Sequence, residues 1–287
     1  MSKFKGTGVA MVTPFKEDFT IDYQASERLI NYLIDGGADY LVIQGTTGET
    51  ATLSKEEKRK VLAHVIEINN GRLPIVYGIG GNNTQSLLDE IKSTDFTGVD
   101  AILSVSPYYN KPSQEGIIAH YKAIADHSPV PVILYNVPGR TMSNLTADTT
   151  LTLSKHPNII GIKEASGNLE QCMNIMLKKD KDFLLISGDD LLTTALNALG
   201  GIGVISVLAN AYPSMFKKIS QGDAQLSREA TFSLLEINPF MYEEGNPVGI
   251  KNLLKHLGVC GDQVRLPLLK ASALLDQKIK EASKALK

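Results

Sequence analysis

The sequence predicts an α/β protein of the (β/α)8 TIM-barrel class with a helical C-terminal region, and three observations carry that expectation. Eight short β-branched runs follow one another along the chain, amphipathic stretches of helical period separate them, and the units recur about every thirty residues over roughly the first 220 positions. In order, the runs are "TGVAMVTPF", "YLVIQG", "LPIVYGIG", "AILSVSP", "VPVILYN", "IIGIKEA", "FLLISGDD" and "GIGVISVLAN". Segments such as "DYQASERLINYLIDGG" and "LSKEEKRKVLAHVIEINNG" read as crossover helices. The second has Ser54 at its N-cap and Glu57 three residues on, the pattern of a capping box. A doubly wound sheet would show fewer strands and a glycine-rich first turn, whereas the first strand here runs into "TPF". From about Asp223 no strand-like run remains. "LSREATFSLLEINPFMYEE", "PVGIKNLLKHLG" and "LPLLKASALLDQKIKEASKALK" read as helices packed outside the barrel. The expected organisation is therefore residues 1–222 as barrel and 223–287 as C-terminal helices, with no low-complexity linker between them.

Composition narrows the function. With 287 residues, 43% of them apolar, the chain can bury a sizeable core. The 29 basic and 31 acidic residues leave a formal charge of −2, which favours neither nucleic acid nor an anionic membrane, so small-molecule chemistry is expected. Two cysteines, Cys172 and Cys260, are too few for a disulfide framework and suit a reducing cytoplasm. The opening "MSKFKGTGVA" lacks an apolar signal core, and no apolar run is long enough to span a bilayer.

Barrel chemistry is expected at the C-terminal ends of the strands. There the second run ends in "GTTGET", with the hydroxyls of Thr46 and Thr47, and the fourth in "SPYYNKP", with Tyr108 and Tyr109. The fifth ends in "YNVPGRT", with Tyr135 and Arg140, the sixth carries Lys163, and the seventh ends in "SGDD". A strand lysine ordinarily reaches solvent from the strand end. Two-residue alternation instead puts Gly161, Lys163 and Ala165 on one face and Ile160 and Ile162 on the other. With the isoleucines under the helices, Lys163 points into the barrel beside small residues that leave room for a ligand. A buried lysine that gives up its proton is a nucleophile.

Other features have plainer readings. "GIGGN" lacks the third glycine of a dinucleotide turn because Asn83 stands there, and the glycines of "LGGIGVIS" suit tight packing as well as a phosphate. Asp189 and Asp190 have no histidine near them, and an aspartate opening "LLTTALNALG" is an ordinary N-cap. The five histidines show no metal-binding spacing, so neither metal nor cofactor is expected.

The ordered set "GTTGET", "SPYYNKPSQEG", "YNVPGRT", "GIKEASGN", "SGDD" and "GVISV" resembles the dihydrodipicolinate synthase family over essentially the whole chain. The resemblance implies a metal-free class I aldolase barrel condensing pyruvate with L-aspartate 4-semialdehyde, assembled as a homotetramer of tight dimers. It implies Lys163 as the Schiff-base lysine and Tyr135, Thr46 and Tyr109 as a proton relay, with Tyr109 entering from the neighbouring subunit. It further implies Thr47 and nearby amides on the pyruvate carboxylate, backbone of Gly188 and Ile205 lining the pocket, and Arg140 on the semialdehyde carboxylate. Pyruvate-dependent aldolases acting on sialic acid or sugar acids are the alternative, and the arginine after "YNVP" argues against them. A phosphate-binding isomerase barrel, which covalent trapping of pyruvate would exclude, and a silent ligand-binding barrel, against which the lysine, both tyrosines, the threonine and the arginine in one chain argue, are further readings. Lysine-inhibited members resembling this chain bind L-lysine at positions matching Thr50, Lys55, Lys58, Gly80, Asn82, Ser86 and Tyr108. Ser86 replaces their acidic residue and two lysines replace their histidines, so weak or absent feedback is expected.

Overall fold

Each of the eight apolar runs becomes a strand in the computed structural model, which describes residues 3–286. The strands are β1 (Gly6–Ala10), β2 (Tyr40–Ile43), β3 (Ile75–Gly78), β4 (Ala101–Val105), β5 (Val132–Asn136), β6 (Ile159–Glu164), β7 (Leu184–Ser187) and β8 (Gly203–Ser206). They close into one parallel barrel in sequence order, with β8 returning to β1 through Gly8 opposite Ile205. The runs are apolar on both faces because both faces are covered. Val42, Val76, Leu103, Ile133, Ile186 and Ile205 fill the interior, while Leu41, Ile43, Ile75, Ile102, Leu134, Ile162 and Leu185 pack outward.

The helices are α1 (Tyr23–Asp35), α2 (Lys55–Asn69), α3 (Thr84–Ser93), α4 (Gln114–His127), α5 (Pro138–Thr141), α6 (Ala147–Leu153), α7 (Leu169–Lys178), α8 (Thr193–Ala198), α9 (Pro213–Gln221), α10 (Ala224–Ser233), α11 (Val248–His256) and α12 (Ala273–Lys284). The capping box of α2 forms as the sequence indicates. Glu57 N–H donates to Ser54 Oγ at 3.2 Å, and Ser54 N–H donates to the Glu57 carboxylate at 2.9 Å. No helix among the described residues is long and apolar enough to cross a membrane.

Two expectations need correction. Alternation places Gly161 and Lys163 inward and Ile162 outward, but Ile160 does not join Ile162. The β5–β6 register shifts between Val132, opposite Ile159, and Ile133, opposite Gly161. The extra residue re-phases the strand, so Ile159 packs outward and Ile160 packs on the interior cluster. The C-terminal stretches are also less helical than their periodicity suggests. The first splits into α10 and a 3-10 turn at Asn238–Met241 that contains Pro239. In the last, Pro267 disfavours helix at its start, and α12 begins only at Ala273, where Ser272 Oγ accepts from Leu275 N–H.

Residue 222 falls between α9 and α10, yet the C-terminal region is bound to the β2–α2 part of the barrel by polar contacts, one fully buried and one partly buried. Lys251 Nζ donates to Glu49 Oε1 at 2.5 Å with Lys251 0% and Glu49 4% exposed. Arg265 donates with both terminal nitrogens to the Glu57 carboxylate.

Candidate active site

A cavity of about 420 Å³ opens at the C-terminal ends of the strands. Lys163 lies on its wall, only 5% exposed, with Nζ 4.3 Å from the ring centroid of Tyr135. The two residues are register partners on β5 and β6, so adjacent strands present the amine and the phenol to the same space. Gly188, after β7, has to be glycine. A Cβ there would come within 3.0 Å of Lys163 Cε and 2.6 Å of Ala165 Cβ. The side chain of Lys163 thus passes through the room that the missing methyl leaves.

Opposite stands the loop after β2. Gly45, Thr46 and Thr47 line the cavity. The loop turns tightly, with Gly48 N–H donating to Gly45 O and Glu49 N–H to Thr46 O, both at 3.1 Å. It enters and leaves through left-handed residues, Gln44 at φ 55° and Glu49 at φ 52°. Thr47 is buried, and its Oγ1 accepts from Asn246 Nδ2 at 3.0 Å, which leaves the hydroxyl proton free to donate elsewhere. Arg140, on α5, is exposed at the mouth. It also lines an adjoining cavity of about 510 Å³ shared with Thr46, Lys58, Gly80 and Tyr108.

The structure brings Lys163, Tyr135, Thr46, Thr47, Arg140 and Gly188 to one cavity. Two of the sequence-derived candidates stand apart. Tyr109 is 87% exposed at φ 76° and does not line the cavity within one chain. Ile205 is 1% exposed in the barrel interior, and it is Val207, two residues on, that reaches the lining.

Asp189 and Asp190 also line the cavity, and neither caps α8, whose N-cap is Leu192. Asp189 Oδ1 accepts from the amides of Leu191 and Leu192 in the turn before that helix. Asp190 Oδ2 accepts from Leu208 N–H at 2.9 Å, and burial pushes its carboxyl up to about 6. The glycine-rich stretches turn out to be packing devices. A Cβ at Gly203 would meet Gly6 O at 1.9 Å, and one at Gly80 would meet Val105.

Sequence reasoning missed Asn238, Tyr242 and Asn246, which line the cavity from a region read as outer helices. The polar break "EGNPVG" between two apolar stretches is a signal for Asn246, whereas Asn238 and Tyr242 sit inside the preceding apolar stretch with nothing in the pattern to mark them.

The family model described as the Dihydrodipicolinate synthetase family matches residues 3–286. A Cytophaga hutchinsonii protein named 4-hydroxy-tetrahydrodipicolinate synthase is 53% identical over 286 residues, covering 98% of this chain and 96% of that protein. A Flavobacterium psychrophilum protein of the same name is 50% identical, covering 97% of each. Among solved structures, a dihydrodipicolinate synthase of Bacillus anthracis superposes with a TM-score of 0.95 at 37% identity, covering 99% of each chain. Barrel, cavity and sequence relatives agree over the whole described length, and the chain belongs to the dihydrodipicolinate synthetase family.

Proposed function

We infer that this chain is a lyase, a 4-hydroxy-tetrahydrodipicolinate synthase, that condenses pyruvate with L-aspartate 4-semialdehyde through a Schiff base on Lys163, on the route to diaminopimelate and lysine. The observation that carries the reading is the buried amine of Lys163, 4.3 Å from the ring centre of Tyr135 in a cavity sized for two small acids. The neutral amine attacks the pyruvate ketone, water leaves, and the iminium draws electrons so that the methyl group loses a proton to Tyr135. The enamine carbon then attacks the aldehyde. The amine of the second substrate closes the ring and displaces Lys163 by transimination, restoring the free lysine.

Thr47 Oγ–H and the amides of the "GTTGE" loop hold the pyruvate carboxylate, since Asn246 already fills one acceptor site on that hydroxyl. Thr46 relays the proton from Tyr135. Arg140 at the mouth clamps the semialdehyde carboxylate. Tyr109, exposed and outside the lining of its own chain's cavity, completes the relay of a second copy, so the working unit is at least a dimer, and the family resemblance extends it to a dimer of dimers. A cytoplasmic setting suits this biosynthetic role. The family and its curated relatives support this reading over a sugar-acid aldolase.

The test is mass spectrometry after incubation with pyruvate and borohydride. The expected result is one reduced pyruvyl group on Lys163 alone. An unmodified chain, or a label mapping to Lys111 or another surface lysine, refutes it.

A further inference from the structure

The strand ends that carry Tyr135 and Lys163 each continue into a polar residue facing away from the cavity. Asn136 and Glu164 are register partners beneath the helices, one step beyond the fully buried Leu134 and Ile162. An apolar pair belongs there. Instead Asn136 is 0% and Glu164 3% exposed. A buried carboxylate is costly unless its oxygens are filled. Glu164 accepts from Ser166 N–H at 2.7 Å, Gln171 Nε2 at 2.8 Å and Asn136 Nδ2 at 3.0 and 3.1 Å. All of these donors are neutral.

The network reaches further than the two strands. Asn136 Oδ1 accepts from Leu145 N–H at 3.0 Å, and Asn136 Nδ2 also donates to Asn144 Oδ1 at 2.8 Å. Gln171 donates to Leu145 O at 3.1 Å and accepts from Asn144 Nδ2 at 2.9 Å. Asn144 and Leu145 end the segment that leaves β5 at Val137 and carries Arg140.

We propose that Glu164 is a positioning residue, whose buried carboxylate holds the β5 and β6 ends in register and pins the far end of the Arg140 segment. The lysine that activates one substrate and the arginine that receives the other are thereby set at one separation. A carboxylate suits this place because it only accepts. A glutamine would bring two N–H groups into a site already filled with donors. The inference rests on the function proposed above.

The experiment compares wild type, Glu164→Gln and Asn144→Ala by circular dichroism, borohydride trapping of pyruvate and the KM for each substrate. Both variants are expected to keep the label on Lys163, with half-saturating pyruvate changed by less than about threefold. The KM for the semialdehyde should rise about tenfold in Glu164→Gln and by a smaller factor in Asn144→Ala, the scale of a lost charge-assisted hydrogen bond. Equal losses for both substrates would make Glu164 a merely structural residue, and no change would remove it from positioning; either overturns the proposal. If Glu164→Gln does not fold, Asn144→Ala decides alone by the same split. Failure of wild type to trap pyruvate refutes the Schiff-base function itself, and with it this proposal, which keeps the two apart.

Discussion

Replacing Lys251 by methionine removes the cation from an ion pair that lies wholly inside the protein. Nζ donates to Glu49 Oε1 at 2.5 Å and to the Gln263 carbonyl at 2.7 Å, and stands 4.1 Å from the Phe15 ring centre. Burial draws the ammonium below the usual lysine range while Glu49 opposes it, so the pair is held by geometry rather than by easy solvation. Methionine roughly matches the stem in volume, which keeps the cavity contribution small. The cost lies in what remains. Glu49 keeps one donor, Arg265 N–H at 3.0 Å, around a carboxylate that is 4% exposed. Removing one partner of a buried pair costs roughly 3–5 kcal/mol. For a chain of this length the melting entropy is roughly 0.6 kcal/mol/K, so Tm should fall by about 5–8 °C. Glu49 closes the loop of Thr46 and Thr47, so pyruvate affinity should weaken as well. Melting followed by circular dichroism reads the first effect, and the Lys251→Met/Glu49→Leu double variant isolates the coupling. It should recover at least half of the loss, because no charge is left buried. A single variant melting within a degree or so of wild type, or a double variant less stable than the single, would refute the reasoning.

Further outcomes are expected. Lys163→Ala should fold with a modest loss of stability and form no pyruvyl adduct, which melting and mass spectrometry check; adduct on another residue contradicts the assigned nucleophile. Arg140→Ala should cost about 1.5–3 kcal/mol in kcat/KM for the semialdehyde, with pyruvate trapping far less affected; an unchanged semialdehyde KM would move the arginine to a structural role. L-Lysine should inhibit weakly or not at all at saturating pyruvate, because Lys58 lines the adjoining cavity and Glu90, 3.7 Å from its Nζ, only partly offsets it. Strong submillimolar inhibition would count against that, and if inhibition is absent, Ser86→Glu with Lys58→His should introduce some. Asp190 has its folded pKa raised to about 6, above its usual 3.8, so its neutral form favours the fold below about 4 and that advantage is lost as pH rises through 6. Asp190→Asn, which mimics the neutral form and keeps an acceptor for Leu208 N–H, should gain Tm relative to wild type between pH 4 and 7; a constant difference across that range would be the contrary result.

Local pattern was enough for the eight strands, the α2 capping box and the inward aim of Lys163, because alternation and capping act between residues a few positions apart. The motif order set Tyr135, Thr46, Thr47 and Arg140 at or just beyond strand ends, and the closed barrel brings those ends to one cavity. Ile160 escaped the pattern because a bulge depends on the partner strand's register, which one strand's own sequence does not contain. The long-range partners of the site were likewise decided only in three dimensions. Asn246 reaches Thr47 across 199 positions and Lys251 reaches Glu49 across 202. Periodicity states which face of a helix is apolar and nothing about which loop that helix will cover. The buried charge on Lys251 and Glu164 looks in the sequence like any surface charge, because the donors and acceptors that make its burial tolerable are assembled by the closed barrel.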